Sequence, residues 1–240
     1  MICIKRILAI LFYLVVVTNS YSQITAGKIV YERRTNLFKK FKAHNPEDWL
    51  KPEDKNKIDF FELYFNDSIS VFKPKESDLK EEMSWATSKN TVYKNQQTHS
   101  VLSIKSVWGE KIYLQDSLKK IVWKMTDNKR TICNYSCRKA VLQMDDSTRL
   151  YAWFTLDILP SVGPERFFDL PGAILGLATE DGGVIYFAKS VEASLPSTEL
   201  LMPKKTKQKI YTSLELKPKL VTDFGKYPWG KAMIKELFKW

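Results

Sequence analysis

Between Pro160 and Gly172 the chain carries three prolines and two glycines. Proline removes a donor and fixes φ, so neither a helix nor a sheet ladder can run through this stretch. The same stretch holds Phe167, Phe168 and Leu170, and a loop this apolar is expected to pack inward. Strand-like runs flank it, Arg149 to Thr155 before and Ala173 to Ala178 after. With the loop facing inward, Trp153, Leu170 and Pro171 are expected to close the core from one end, and Trp153→Ala to cost about 3–5 kcal/mol as a core truncation.

The remaining chain reads as short strands separated by turn residues. Lys28 to Arg33 is a first strand, and Ile58 to Phe65 and Ile69 to Phe72 flank Asn66-Asp67-Ser68 as a hairpin. Val101 to Trp108 turns at Gly109-Glu110 into Lys111 to Gln115. Lys120 to Met125 alternates Ile121, Trp123 and Met125 before a turn at Asp127-Asn128, and Thr131 to Met144 follows with a bend at Asn134. After the turn Asp145-Asp146-Ser147 and the strands around the Pro-rich loop, Glu180-Asp181-Gly182-Gly183 joins Ala173–Ala178 to Val184–Glu192. Lys39 to Lys57, around Trp49, reads as a surface insertion, and Lys75 to Lys89 as a loop or short helix. With no long helical period between strands, the pattern predicts an all-β fold: an antiparallel meander forming a strongly curved sheet or barrel, with a short C-terminal helix. Aromatic residues make up 13% of the chain, which suits a thick core better than a cavity lining.

Both ends differ from this body. Lys5-Arg6, the apolar run Ile7 to Val17 and Ser20-Tyr21-Ser22 read as a signal peptide over residues 1–22. The expected product begins at Gln23, exported to the periplasm, associated with the outer membrane, or secreted. Residues 23–200 form the β domain and 201–240 a lysine-rich tail. In that tail ten lysines stand against Glu215, Asp223 and Glu236, much of the chain's net +11. Met233, Ile234, Leu237 and Phe238 share one face of a helix at the very end. Such a helix either packs on the end of the sheet or gives Lys231–Trp240 a peripheral membrane contact. An exported protein meets anionic envelope material rather than nucleic acid, so no nucleic-acid partner is expected.

Chemistry is harder to find. His44 and His99 both sit in polar stretches read as exposed, and with Cys133 and Cys137 they do not assemble a zinc site of ordinary spacing. No metal, cofactor or catalytic residue is assigned, and nothing in the sequence points to an enzyme. Asp157, Glu165 and Asp169 crowd the Pro-rich loop, with Glu180 and Asp181 beyond it. They are expected to cap turns or pair with Arg166. Cys133 and Cys137 would lie about 13 Å apart on a straight strand, so a disulfide needs a bend, which Asn134 can supply; two buried thiols are the alternative.

Asn134-Tyr135-Ser136-Cys137-Arg138-Lys139-Ala140, Ala152-Trp153-Phe154-Thr155, Ile158-Leu159-Pro160, Gly163-Pro164 and Leu170-Pro171-Gly172-Ala173-Ile174-Leu175 occur in an order and spacing that resembles the GLPGLI family. These are exported proteins of Bacteroidetes, and the motif in the name aligns with Asp169 to Ile174 here. The resemblance implies a cell-envelope protein and offers Tyr135, Cys137, Trp153, Pro160, Gly163, Pro164, Leu170, Pro171 and Gly172 as binding or motif residues. The chain departs from the pattern at Asp169 and Asn134, where the family has glycine, and at Ala173, where it has leucine; Cys133 is additional. The family brings no biochemical activity with it. The expected role is that of an envelope binding or accessory protein, its apolar concave sheet taking a lipid, lipoprotein or peptide. The alternative is an interaction module for an outer-membrane receptor or secretion complex. An envelope hydrolase using loop carboxylates or Cys137 comes third.

Overall fold

The computed structural model describes residues 23–76, 82–107, 109–145 and 148–239. The signal-peptide reading falls outside the described residues, as do Trp108, Asp146, Ser147 and part of Lys75–Lys89. Twelve strands make one sheet: β1 Gly27–Asn36, β2 Asn56–Phe65, β3 Ile69–Pro74, β4 Thr91–Asn95, β5 Ser100–Val107, β6 Glu110–Ser117, β7 Lys124–Ile132, β8 Tyr135–Gln143, β9 Arg149–Thr155, β10 Ala173–Thr179, β11 Val184–Ala193 and β12 Ile210–Tyr211. β1 to β6 form one antiparallel meander and β7 to β11 another. β1 joins them by pairing antiparallel with both β2 and β11, while β12 adds in parallel to β6.

That order dictates the shape. β6 and β7 are ten strand intervals apart in the sheet, about 48 Å if it were flat. They are nonetheless joined directly through Leu118–Trp123, which reaches about 25 Å at full extension. The sheet therefore curls, without closing into a barrel. All-β class, antiparallel meander and strong curvature are as the sequence predicts.

Alternation decides what fills the curl. Along β1 Gly27, Ile29, Tyr31, Arg33 and Thr35 are buried, and Phe65, Leu63, Phe61 and Asp59, the β2 partners of the first four, are buried beside them. Phe61 stacks on Phe72 at 4.8 Å. One main apolar cluster runs from these strands through Leu150, Ala152 and Phe154 of β9 to Ile158, Val162, Phe167, Leu170 and Ile174. A smaller one, Leu37, Leu50 and Ala86, anchors the Lys39–Lys57 excursion, where the helix α1 Leu37–Lys40 and three short 3-10 turns lie.

Four local expectations need correcting. The strand placed at Lys120–Met125 begins only at Lys124, because Ile121 and Trp123 belong to the linker that crosses between the two meanders. Asp127-Asn128 is not a turn: it lies within β7, where the register against β8 slips between Met125 and Lys129. β7 is an edge strand and tolerates such an irregularity. The reversal comes instead at Cys133-Asn134, between the paired Ile132 and Tyr135. Their φ values of 49° and 67° suit a tight two-residue hairpin. The expected bend at Asn134 is thus a complete turn.

The fourth concerns the tail. Besides the one-turn α2 Thr198–Leu201 it holds two helices, α3 Ser213–Phe224 and α4 Pro228–Leu237, where one over Lys231–Trp240 was expected. α3 forms despite Pro218 because a capping box secures its start. Glu215 N–H donates to Thr212 Oγ1 at 3.2 Å, and Thr212 N–H donates to Glu215 Oε2 at 3.0 Å. Asp116 of β6 accepts from Ser213 N–H at 2.9 Å and Oγ at 2.6 Å, and also meets Arg166 at 3.4 Å. Leu237 and Phe238 join Leu216 and Leu220 of α3 and Leu114 of β6 in one apolar cluster, so the apolar face of α4 is covered by α3 and the sheet edge.

Candidate functional site

Thr155 ends β9 and Ala173 starts β10, and the chain between them folds back into the curl. Of this segment Ile158, Pro160, Val162, Gly163, Pro164, Glu165, Phe167, Phe168, Leu170 and Gly172 are buried. Its backbone is held from several directions. Ile174 N–H donates to Val162 O at 2.8 Å and Ala173 N–H to Ile158 O at 3.0 Å. Leu159 N–H reaches Ile24 O at 2.9 Å. Gln96 Nε2 donates to Ser161 O at 2.8 Å and Trp123 Nε1 to Phe168 O at 2.7 Å, while Tyr31 Oη reaches Ile174 O, just past the segment in β10, at 2.6 Å. A loop without regular secondary structure must have its buried polar groups satisfied this way.

Charged groups sit where a sheet interior is usually apolar. Lys94 of β4 is 1% exposed and donates through Nζ to Gly163 O at 3.2 Å and Phe167 O at 3.1 Å. Burial pushes its ammonium down to about 7, Glu165 offsetting part of the effect. Lys105, also buried, is pushed down by burial to about 8. Glu165 accepts from Tyr186 Oη at 2.8 Å and from Asn90 Nδ2 at 3.2 Å. Beyond it Arg33 pairs with Asp59 at 2.7 Å, and Thr87 Oγ1 donates to the same carboxylate at 2.8 Å. Burial works against both charges of that pair. Even so, Tyr186, Asp59 and Glu165 hold the guanidinium above its usual range, while Arg33 and Thr87 hold the carboxyl of Asp59 below its own.

Three positions in the segment have positive φ: Glu165 at 53°, Asp169 at 66° and Gly172 at 132°. Asp169 completes its turn by accepting Ile121 N–H at 2.7 Å, which ties the loop to the linker between the meanders. The interior is a fastened plug.

The candidate residues separate accordingly. Pro160, Gly163, Pro164, Leu170 and Gly172 come together in the plug. Tyr135 and Cys137 pack into the same main cluster from β8. The structure keeps Cys133 and Cys137 as free thiols, because the hairpin turns them to different partners. Cys133 Sγ lies 3.1 Å from Ala188 O, and Cys137 Sγ lies 3.5 Å from Tyr135 O. Burial pushes the Cys137 thiol up to about 12. Arg166 pairs with Asp116 of β6 rather than with one of the loop carboxylates.

Trp153 and Pro171 do not close the core. Pro171 is exposed, and Trp153 stands on the outer face because its neighbours Ala152 and Phe154 take the inner one. There it contacts Phe187 at 5.9 Å under the guanidinium of Arg130 at 5.3 Å. Trp153→Ala is therefore expected to cost about 1–2 kcal/mol, as loss of a half-covered aromatic and its cation–π contact. Urea unfolding measures it, and a cost above about 3 kcal/mol would restore the core reading.

Sequence reasoning missed Lys94, Lys105, Arg33, Asp59 and Tyr186. The available signal was parity: Arg33 alternates with Tyr31 and Ile29, and Lys94 with Val92, on strands whose apolar positions face inward. Among the described residues no group of three His, Cys, Asp or Glu side chains is placed to hold a metal ion. Two surface clefts, one against Asp127, Lys129 and Arg138 and one against Gln23–Ala26 and Ala193–Leu195, are lined by no residue of the plug.

These features define a curled antiparallel sheet plugged by its own β9–β10 loop. Compared with known protein families the sequence matches none, and no curated protein matches it. Among solved structures it is similar to PNGF-II in two crystal forms, with TM-scores of 0.56 and 0.53 and identities of 16% and 17%. Those matches cover 81% and 80% of this chain, which spans only 32% of the length of PNGF-II, and at such identity the likeness is one of fold.

Proposed function

We propose that this chain is an exported accessory protein of the GLPGLI type that presents a rigid outer surface to a partner in the cell envelope, such as an outer-membrane receptor or secretion complex. The observation that carries this reading is the occupied concavity. Lys94, Gln96 and Trp123 each direct a side-chain donor to the plug backbone, where an enclosed ligand would need the space. Support for the family comes from backbone conformation. Asn134 and Asp169, the two residues that stand where the family has glycine, have φ values of 67° and 66°, a region that glycine enters at no cost and that Asn and Asp tolerate.

Native mass spectrometry of the protein from an envelope fraction tests the reading. Equal native and denatured masses, a chain beginning at Gln23 and crosslinks in whole cells to one envelope protein are the expected results. A non-covalent excess mass that is lost on denaturation would overturn it in favour of a ligand carrier, and an intact residue 1–22 segment would overturn export.

A further inference from the structure

The apolar face of α4 is covered, but one side of α3 is not. Leu216 and Leu220 face the sheet edge around Leu114. Leu214, Pro218 and Val221 follow one another on successive turns of the opposite side. Leu214 is 86% exposed and Val221 51%. Just beyond the helix Tyr227 and Trp229 stack at 5.4 Å with an 11° interplanar angle, and Trp229, itself 49% exposed, lies 5.6 Å from Phe224.

The stretch that carries this stripe is strongly positive. From Lys204 to Lys235 every lysine is exposed, nine in all, against Glu215 and Asp223. A protein-binding surface is usually depleted in lysine, and a nucleic-acid backbone has no use for an exposed leucine and valine. Lysines flanking apolar side chains beside a Trp–Tyr pair match the layering of an anionic bilayer: headgroup charge outside, an interfacial belt, then acyl chains.

We propose that the exposed side of α3, continued by Tyr227 and Trp229, docks on an anionic lipid surface. Leu214 and Val221 enter the interface and the surrounding lysines meet the headgroups. The inference does not depend on the family or on the envelope partner proposed above, since it uses only the charge and exposure of the tail. It also puts the membrane contact on α3 rather than on Lys231–Trp240, where the sequence offers it as one of two alternatives.

The test is co-sedimentation of the full protein with vesicles of phosphatidylcholine alone and with about one-third phosphatidylglycerol. Binding is expected only to the anionic vesicles, falling as salt is raised, and at least about tenfold weaker for Leu214→Glu/Val221→Glu. Both side chains are exposed, so the variant should melt with the parent; Leu214→Ser/Val221→Ser replaces it if it does not. No binding to anionic vesicles overturns the proposal. So does binding that the variants leave unchanged, which would be charge attraction without insertion. A change in oligomeric mass on substitution in the absence of lipid would assign the stripe to a second copy and overturn it as well.

Discussion

Gly172→Ala is expected to destabilise the fold by more than about 4 kcal/mol. A Cβ on Gly172 would sit 1.9 Å from Thr155 O and 2.9 Å from Ile158 O, both backbone atoms, with φ at 132°. Neither carbonyl has room to retreat. Thr155 is the last residue of β9, paired across to Ala173, and Ile158 O already accepts Ala173 N–H. Relief would require unfastening the plug where it enters β10. Such a cost is a large share of a typical domain's roughly 5–15 kcal/mol. Gly182→Ala is the control. Gly182 also has positive φ, 67°, but its Cβ would meet nothing within 4 Å, so about 1–2 kcal/mol of backbone strain is expected there. Thermal melts of the two variants followed by circular dichroism decide the matter, and similar melting points would sink the crowding argument.

The second large effect is a pH dependence that Lys94 confers on stability. Its ammonium is pushed to about 7 in the folded chain, from an ordinary 10.5. Between those values the unfolded chain holds a proton that the folded chain lacks, so stability rises with pH across the window. Below about 7 both states are protonated, and the folded state carries the full cost of a buried ammonium. Lys105, displaced to about 8, acts in the same direction. The rise attributable to Lys94 is on the order of 3–5 kcal/mol. Lys94→Met should flatten it. At high pH the variant should be the less stable by about 2–4 kcal/mol, because Gly163 O and Phe167 O lose their donor. Near pH 6 the two proteins should converge. Urea unfolding from pH 6 to 9.5 measures both slopes, and parallel profiles would remove Lys94 as the origin. Tyr31 and Tyr186, whose phenols burial raises well above 10, make the range beyond 9.5 a different experiment.

How much of the site could be read in advance depends on whether its cause is local. The prolines and glycines of residues 160–172 forbid regular structure wherever they occur, and Phe167, Phe168 and Leu170 supply a reason for the loop to go inward. Lys94 carries only its parity with Val92, which gives its face but not its partners, and Glu165 carries no such mark. A lysine in Thr91–Asn95 is ordinary on a solvent face, and it is buried here because the plug lies over it and offers two carbonyls. Trp153 failed for the converse reason. Tyr151 and Trp153 alternate with Leu150, Ala152 and Phe154, so both faces of β9 are apolar enough to be core. The choice fell to the neighbours: Phe154 and Ala152 lie beside Ile174 and Leu177 in the register with β10, and a strand that buries one set must expose the other.

Sequence alone therefore determined most of the strands and turns, the antiparallel class and the existence of an inward loop, because alternation, positive-φ residues and proline act within a few residues of chain. The tertiary structure decided what those elements enclose. A linker too short to span a flat sheet forces the curl, the curl brings β4 and β5 over the β9–β10 loop, and only there do Lys94, Glu165 and Gly172 acquire the partners that define them. It likewise decided which tail helix buries its apolar face, since Leu114 is presented to α4 and to one side of α3, leaving Leu214 and Val221 outside. Such contacts join residues tens of positions apart, and no local pattern encodes them.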